Sequence, residues 1–124
     1  MFEVSTRSAK NSKLDASKAE LDAFAAMIGA EIDHYGRYPG WAYDKESAVR
    51  EVYKQAHLEV TGEEAIPVGV HAGIECGVIR YAIPDMDAIS ICADHANGHS
   101  PSELLNLDSC ETFYRILRRM IELL

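Results

Sequence analysis

Two short apolar segments, residues 66–70 and 86–92, constrain the fold of this chain more than any other feature. Both are too short for a typical helix, so we predict that both are buried β-strands. A helix is predicted between them at residues 74–82, and further helical patterns precede and follow them. Buried strands that alternate with helices are typical of a parallel sheet. Because two strands make a poor sheet, we expect this αβαβα region to be the end of a larger α/β domain.

The start of the chain carries a different pattern. Apolar and polar residues alternate over residues 2–7 and again over residues 30–35, which predicts two half-buried strands. Between them, apolar residues recur at helical spacing as far as Ile28, and Gly29 provides a stop signal. We therefore predict a βαβ unit here.

A break in the pattern follows at residues 36–41, which contain two glycines and one proline. These residues predict a turn or linker, and Tyr38 and Trp41 suggest that aromatic packing holds it in place. We place the domain boundary here, which divides the chain into residues 1–38 and residues 39–124.

The composition excludes two classes of partner. The net charge of −8 disfavours nucleic acid, because binding to phosphates depends on lysine and arginine. No apolar run approaches the roughly 20 residues that a membrane span requires. The first residues lack the basic and apolar regions of a signal peptide, so we expect a cytoplasmic protein.

Polar residues follow both predicted buried strands, in the loops at residues 71–77 and 94–103. Ligands of α/β sheets gather beyond the carboxyl ends of the strands, which makes these loops the candidate site. His99 is a candidate metal ligand, with Glu103 available to orient it, although a solvated histidine fits the local sequence as well. His95 is a weaker candidate.

Two charged residues could contact a ligand at its ends. Glu75 lies among residues that are predicted to be buried, so we expect it to have a cationic partner, either a substrate ammonium or a structural ion pair. Arg7 ends the first predicted strand and has the geometry to bind a carboxylate through two hydrogen bonds, but an exposed structural arginine is equally compatible.

Four motifs together resemble one family along essentially the whole chain. The chain resembles the last quarter of the aminoacyl-histidine dipeptidases, which are metallopeptidases of the aminoacylase and carnosinase type. The motifs are Arg7-Ser8, Tyr38-Pro39-Gly40-Trp41, His71-Ala72-Gly73-Ile74-Glu75-Cys76-Gly77, and His99-Ser100-Pro101 with Glu103.

The resemblance implies a role for each matching residue. His99 would be the last metal ligand of a two-zinc site, and Arg7 would hold the terminal carboxylate of a dipeptide substrate. Gly73 would contact the substrate through its backbone, and Glu75 would lie near the free amino group. Residues 1–38 would end a ferredoxin-like lid or dimerisation domain, and residues 39–124 would end the catalytic domain.

The chain departs from the family in two ways. Ser102 stands where the family usually has aspartate, and the Gly-Pro turn that commonly precedes the histidine is replaced by residues 92–95. More importantly, the remaining metal ligands and the general base of the family lie upstream of the region that this chain resembles. The resemblance therefore implies no catalytic residue in this chain, which we expect to be inactive without the N-terminal part of the peptidase.

Two other hypotheses stay open at this stage. The chain could be a non-catalytic binding or oligomerisation module derived from such a peptidase, and exposed strand edges would make a homodimer plausible. It could also be a small metal sensor that uses Asp94, His95 and His99.

Overall fold

The computed structural model describes residues 1–70 and 72–124, and over these residues it is a mixed α/β structure. It contains four helices and one two-stranded antiparallel sheet. The helices and strands, in chain order, are α1 (Asn11–Ile28), α2 (Ala48–Thr61), α3 (Glu75–Ala82), β1 (His95–Ala96), β2 (Leu104–Leu105) and α4 (Leu107–Leu123). The predicted α/β class is confirmed. None of the described helices is both long enough and apolar enough to cross a bilayer.

The chain divides into two compact units. Unit 1 consists of residues 1–45 and 69–86, and unit 2 of residues 46–68 and 87–124. Unit 1 contains α1 and α3, whereas unit 2 contains α2, α4 and the small sheet. The assignment of residues 1–38 and 39–124 to a lid domain and a catalytic domain stays a prediction.

The first helix ends where the sequence predicts. Gly29 has a φ of 68° and donates its backbone N–H to the carbonyl oxygens of Ala25 and Ala26. Glycine adopts this left-handed conformation without the steric cost of a β-carbon, so it closes the last turn of α1.

The core of unit 2 lies between α2 and α4. Ala56 on α2 and Ile116 and Met120 on α4 are its buried residues. Partly buried apolar residues surround them, including Ile89 and Ile91 of segment 86–92, which was predicted to be a strand.

The four predicted strands are not formed. Within the described residues, segments 2–7, 30–35, 66–70 and 86–92 have no strand pairing, and the two short strands lie instead in the predicted loop at residues 94–103 and just after it. The physical reason is that a strand exists only when a neighbour pairs with its backbone N–H and C=O groups. Apolar composition alone does not supply that neighbour.

Candidate functional site

His99 lies on a short hairpin in unit 2. The strands β1 and β2 pair His95 with Leu105 and Ala96 with Leu104, which brings the two ends of the intervening loop together. Asn106 donates its backbone N–H to the carbonyl of Asp94, with 2.9 Å between N and O. The loop that carries His99 is therefore closed at its base.

The backbone of this loop has an unusual conformation. Asn97 and His99 have φ angles of 55° and 64°, in the left-handed region that residues with a β-carbon rarely adopt. The carboxylate of Glu103 accepts a hydrogen bond from the backbone N–H of His99, with 3.1 Å between N and Oε2. Left-handed conformations outside glycine are concentrated at functional sites, because the surrounding structure must hold them in place.

The contact that Glu103 makes with His99 thus differs from the predicted one. The prediction was that its carboxylate orients the imidazole, whereas in the structure it binds the backbone amide. The His99 side chain itself is exposed. Ser100 adds a second contact inside the loop by donating from Oγ to the carbonyl of Asn97 at 2.7 Å.

The hairpin is also attached to the start of α4. Asp94 donates its backbone N–H to Oγ of Ser109, with 2.9 Å between the two atoms. The side chain of Asn106 caps α4 by accepting from the backbone N–H groups of Asp108 and Ser109. The same few residues therefore end the hairpin and begin the helix.

The other three predicted site residues lie in unit 1. Arg7 is exposed in the segment before α1. Glu75 is exposed in the first turn of α3, so the prediction that it lies among buried residues was wrong. An acidic side chain at a helix N-terminus is favoured by the helix dipole, which gives Glu75 a structural reason to be there.

Gly73 packs against the aromatic motif of the same unit. A β-carbon at Gly73 would lie 2.7 Å from Cγ of Tyr38 and 2.8 Å from its Cδ1. Gly77 is similarly close to the motif, with 3.4 Å between its β-carbon position and Cβ of Trp41. The two motifs of unit 1 thus lie against each other, and the prediction that aromatic packing holds the turn at residues 36–41 stays a prediction. His71, the first residue of the second motif, lies outside the described residues.

Unit 1 also contains an open groove that the sequence did not predict. Its lining includes Trp41, Tyr43, Asp44, Arg80 and Tyr81. Arg80 and Asp44 form an ion pair across it, with 3.9 Å between Nη2 and Oδ2. The sequence alone did not indicate that the aromatic residues at 41, 43 and 81 line one groove, because residue 81 is far from the other two along the chain.

The donors of the residues that the structure describes do not form a metal site. Among residues 1–70 and 72–124, no three histidine, cysteine, aspartate or glutamate side chains are placed so that they could hold a metal ion. A catalytic zinc typically takes three protein ligands, so His99 alone does not fit such an ion. The candidate ligand and the candidate substrate contacts belong to separate compact units.

The comparisons with known proteins give the class: the chain resembles part of a dipeptidase. No family model matches the chain. The cytosol non-specific dipeptidase of Escherichia coli K12 is 28% identical over 116 residues, which are 94% of this chain and 24% of that protein. The crystal structure of the aminoacylhistidine dipeptidase from Vibrio alginolyticus matches with a TM-score of 0.77 and 27% identity, again over 94% of this chain and 24% of that one. The resemblance to aminoacyl-histidine dipeptidases is confirmed, and the chain spans about a quarter of the length of these relatives.

Proposed function

We propose that this chain is the C-terminal portion of a metal-dependent dipeptidase that hydrolyses dipeptides of the Xaa-His type. The observation that carries the proposal is the match of nearly the whole chain, in sequence and in fold, to a quarter of two dipeptidases. Because the chain lacks a complete set of metal donors among its described residues, we infer that it is inactive by itself. The remaining ligands and the general base would come from the N-terminal part of the peptidase.

His99 is the residue that we propose as the contribution of this chain to a zinc site. Its loop supports this role, because Glu103 holds the backbone of His99 in a conformation that would otherwise be unfavourable. The imidazole is exposed and available to a metal that other ligands hold.

Arg7, Gly73 and Glu75 are the proposed substrate contacts. The guanidinium of Arg7 suits the terminal carboxylate of a dipeptide, because it can donate two parallel hydrogen bonds. The exposed carboxylate of Glu75 suits the free ammonium group at the other end. Gly73 is exposed and would contact the substrate through its backbone, beside the Tyr38 ring that fills the space of a side chain.

The wider setting is also a proposal. Residues 1–38 would end a ferredoxin-like lid domain through which the intact enzyme could form a homodimer. Residues 39–124 would end the catalytic domain, in which parallel strands form once the upstream part is present. The cytoplasm is the expected compartment, in line with the cytosolic relative from Escherichia coli.

The test is reconstitution of hydrolysis. The purified chain is mixed with an Ala-His dipeptide and zinc or manganese, with and without the part of the Escherichia coli relative that precedes the matched region. We expect no hydrolysis by the chain alone and measurable histidine release from the mixture. Turnover by the chain alone, or none from a mixture shown to form a complex, would contradict the proposal.

Two variants test whether His99 is a metal ligand. His99→Ala should abolish histidine release by the reconstituted mixture, because one of the metal ligands is lost. His95→Ala is the matched control, since it lies on the same hairpin and is exposed as well. Equal losses in the two variants would remove His99 from the proposed site.

A non-catalytic module is the second candidate. Large apolar side chains are exposed in both units, for example Phe2 in unit 1 and Leu105 in unit 2, and such surfaces often mark interfaces. Sedimentation of the chain by itself tests this alternative. A stable oligomer that does not take up the upstream polypeptide would favour it.

A further inference from the structure

The open groove of unit 1 has the size of a small-molecule site. Its volume is about 490 Å³. Ligand sites in proteins usually enclose roughly 300–1,000 Å³. Within the part of the chain that the structure describes, all of its lining residues belong to unit 1, so one compact unit forms the whole groove.

Three aromatic side chains give the groove flat apolar surfaces. Tyr43 and Tyr81 are 68% and 71% exposed, and Trp41 is half-buried. Aromatic rings attract other rings through stacked or edge-to-face contacts, and the buried area adds to the gain. A ligand that carries a flat ring therefore suits this part of the groove.

An ion pair lies in the groove beside these rings. Nη2 of Arg80 and Oδ2 of Asp44 are 3.9 Å apart, and the two side chains are 24% and 45% exposed. This distance is too long for a hydrogen bond between the two atoms. A guanidinium has several N–H donors and a carboxylate several acceptor positions, so both groups can bind a ligand while they stay paired with each other.

The two opposite charges specify the chemistry of the ligand. A simple anion would be attracted by Arg80 and repelled by Asp44, and a simple cation would meet the reverse. A zwitterion is attracted by both groups at once. An α-amino acid carries its ammonium and carboxylate groups on one carbon atom, which keeps its two charges about as close together as those of the ion pair.

We propose that this groove binds a free α-amino acid with an aromatic side chain. The guanidinium of Arg80 donates to the carboxylate of the ligand, and the carboxylate of Asp44 accepts from its ammonium group. The ring of the ligand packs against Trp41, Tyr43 and Tyr81. The inference goes beyond the proposed function and does not depend on it, because this chain supplies every residue of the site.

The fluorescence of Trp41, the single tryptophan of the chain, tests the site in the purified full chain. It is excited at a wavelength that phenylalanine does not absorb, and the indole N–H signal of the nitrogen-15-labelled chain provides a second measurement. L-phenylalanine should produce a saturable change with a dissociation constant of about 1 mM or tighter. The absence of a saturable change in both measurements would overturn the proposal.

Three compounds that each lack one part of the ligand test the assigned contacts. 3-Phenylpropanoate lacks the ammonium group, phenethylamine lacks the carboxylate, and glycine lacks the ring. Each should bind at least about tenfold more weakly than L-phenylalanine, because one contact is lost. Binding of either singly charged compound as tightly as L-phenylalanine would overturn the assignment of a zwitterion site.

Two variants test the charged pair. Arg80→Ala and Asp44→Asn should each weaken L-phenylalanine binding by about tenfold or more. Arg37→Ala is the matched control, because it removes an arginine of the same unit that pairs with Asp15 at 2.6 Å and does not line the groove. Its dissociation constant should change by less than about threefold. Circular dichroism with thermal melting checks the fold of each variant, and equal weakening by the folded control would overturn the proposal.

The upstream polypeptide is the competing occupant of the groove. The titration of the nitrogen-15-labelled chain with L-phenylalanine is therefore repeated in a mixture that forms the complex. We expect the same dissociation constant for the Trp41 signal with and without the upstream polypeptide. Loss of binding in the complex would show that the polypeptide covers the groove and would overturn the proposal. Binding without histidine release would reject the proposed function alone, and histidine release without binding would reject this site alone.

Discussion

At the scale of single residues, Gly40 shows how closely unit 1 is packed. A β-carbon at this position would lie 2.6 Å from the carbonyl oxygen of Ala9 and 2.9 Å from the backbone nitrogen of Lys10. The N–H group of Gly40 also donates to Oδ1 of Asn11 at 2.7 Å. These neighbours are backbone atoms or lie at the start of α1, so they cannot move aside as a flexible side chain would.

Gly40→Ala is therefore predicted to destabilise the chain by about 1–3 kcal/mol through overpacking. Urea denaturation followed by circular dichroism measures the loss. Gly69→Ala provides the control, because its β-carbon meets nothing within 4 Å and its stability should change by less than about 0.5 kcal/mol. A Gly40→Ala variant as stable as Gly69→Ala would show that the turn does not pack against α1.

The chemical identity of the candidate residues could be predicted from the sequence, but their contacts could not. The motifs pointed to His99 and Glu103 together, and the two do interact. Glu103 binds the backbone amide of His99 and not its ring. This contact depends on the left-handed backbone of His99, which the local sequence does not specify. For Glu75 the prediction failed because the neighbouring Val78 and Ile79, apolar in sequence, are exposed.

At the scale of secondary structure, the start of α2 depends on a residue far along the chain. Ser47 caps the helix locally by accepting from the N–H of Arg50 at 3.1 Å. Asp87 accepts from the N–H of Val49 at 2.9 Å. Backbone hydrogen bonding from Val49, supported by Ser47 and by the amides of Ala48 and Ala88, lowers the pKa of Asp87. This carboxylate ties the segment after residue 86 to the first turn of α2 within unit 2.

Asp87→Ala should destabilise unit 2 by about 1 kcal/mol at pH 7, as expected for the loss of a helix cap. Because the pKa of Asp87 is lower in the folded state, its ionised form stabilises the fold above its unfolded pKa of about 3.8. This contribution to stability disappears as the pH falls through the pKa of Asp87 in the folded state. Urea denaturation at several pH values should show the variant and the wild type converging in acid.

The control for this prediction is Asp85→Ala, which removes a nearby exposed carboxylate that forms no comparable cap. Its stability should follow that of the wild type at every pH. A constant difference between Asp87→Ala and the wild type down to pH values well below 3.8 would show that the ionised carboxylate is not what stabilises α2.

Helices and strands differed in how well the sequence predicted them. The helical pattern before residue 66 predicted α2, and Gly29 predicted the end of α1, since helical hydrogen bonds join residues four apart. The apolar segments 66–70 and 86–92 met every local criterion for a strand. Strand pairing depends on residues that are remote in the chain or belong to another polypeptide, so their local sequence was not sufficient.

At the scale of the whole molecule, the chain resembles about a quarter of a larger dipeptidase. Its described residues offer no group of three metal donors, although His95 and His99 share one hairpin and Asp94 precedes it. One or two imidazole ligands are too few to hold a zinc ion tightly, because zinc sites typically take three or four protein ligands. We expect a metal to bind tightly only where another polypeptide completes the coordination.

Titration of the chain with zinc tests this conclusion by calorimetry. We expect no one-to-one binding tighter than about 1 mM for the chain alone. In the mixture with the upstream polypeptide, binding should become tighter, and His99→Ala should weaken it whereas His95→Ala should not. Tight binding by the chain alone that both histidine variants abolish would instead establish a metal sensor built from the hairpin. Because that outcome requires His95, the pair of variants distinguishes a self-contained metal site from a ligand that another polypeptide must complete.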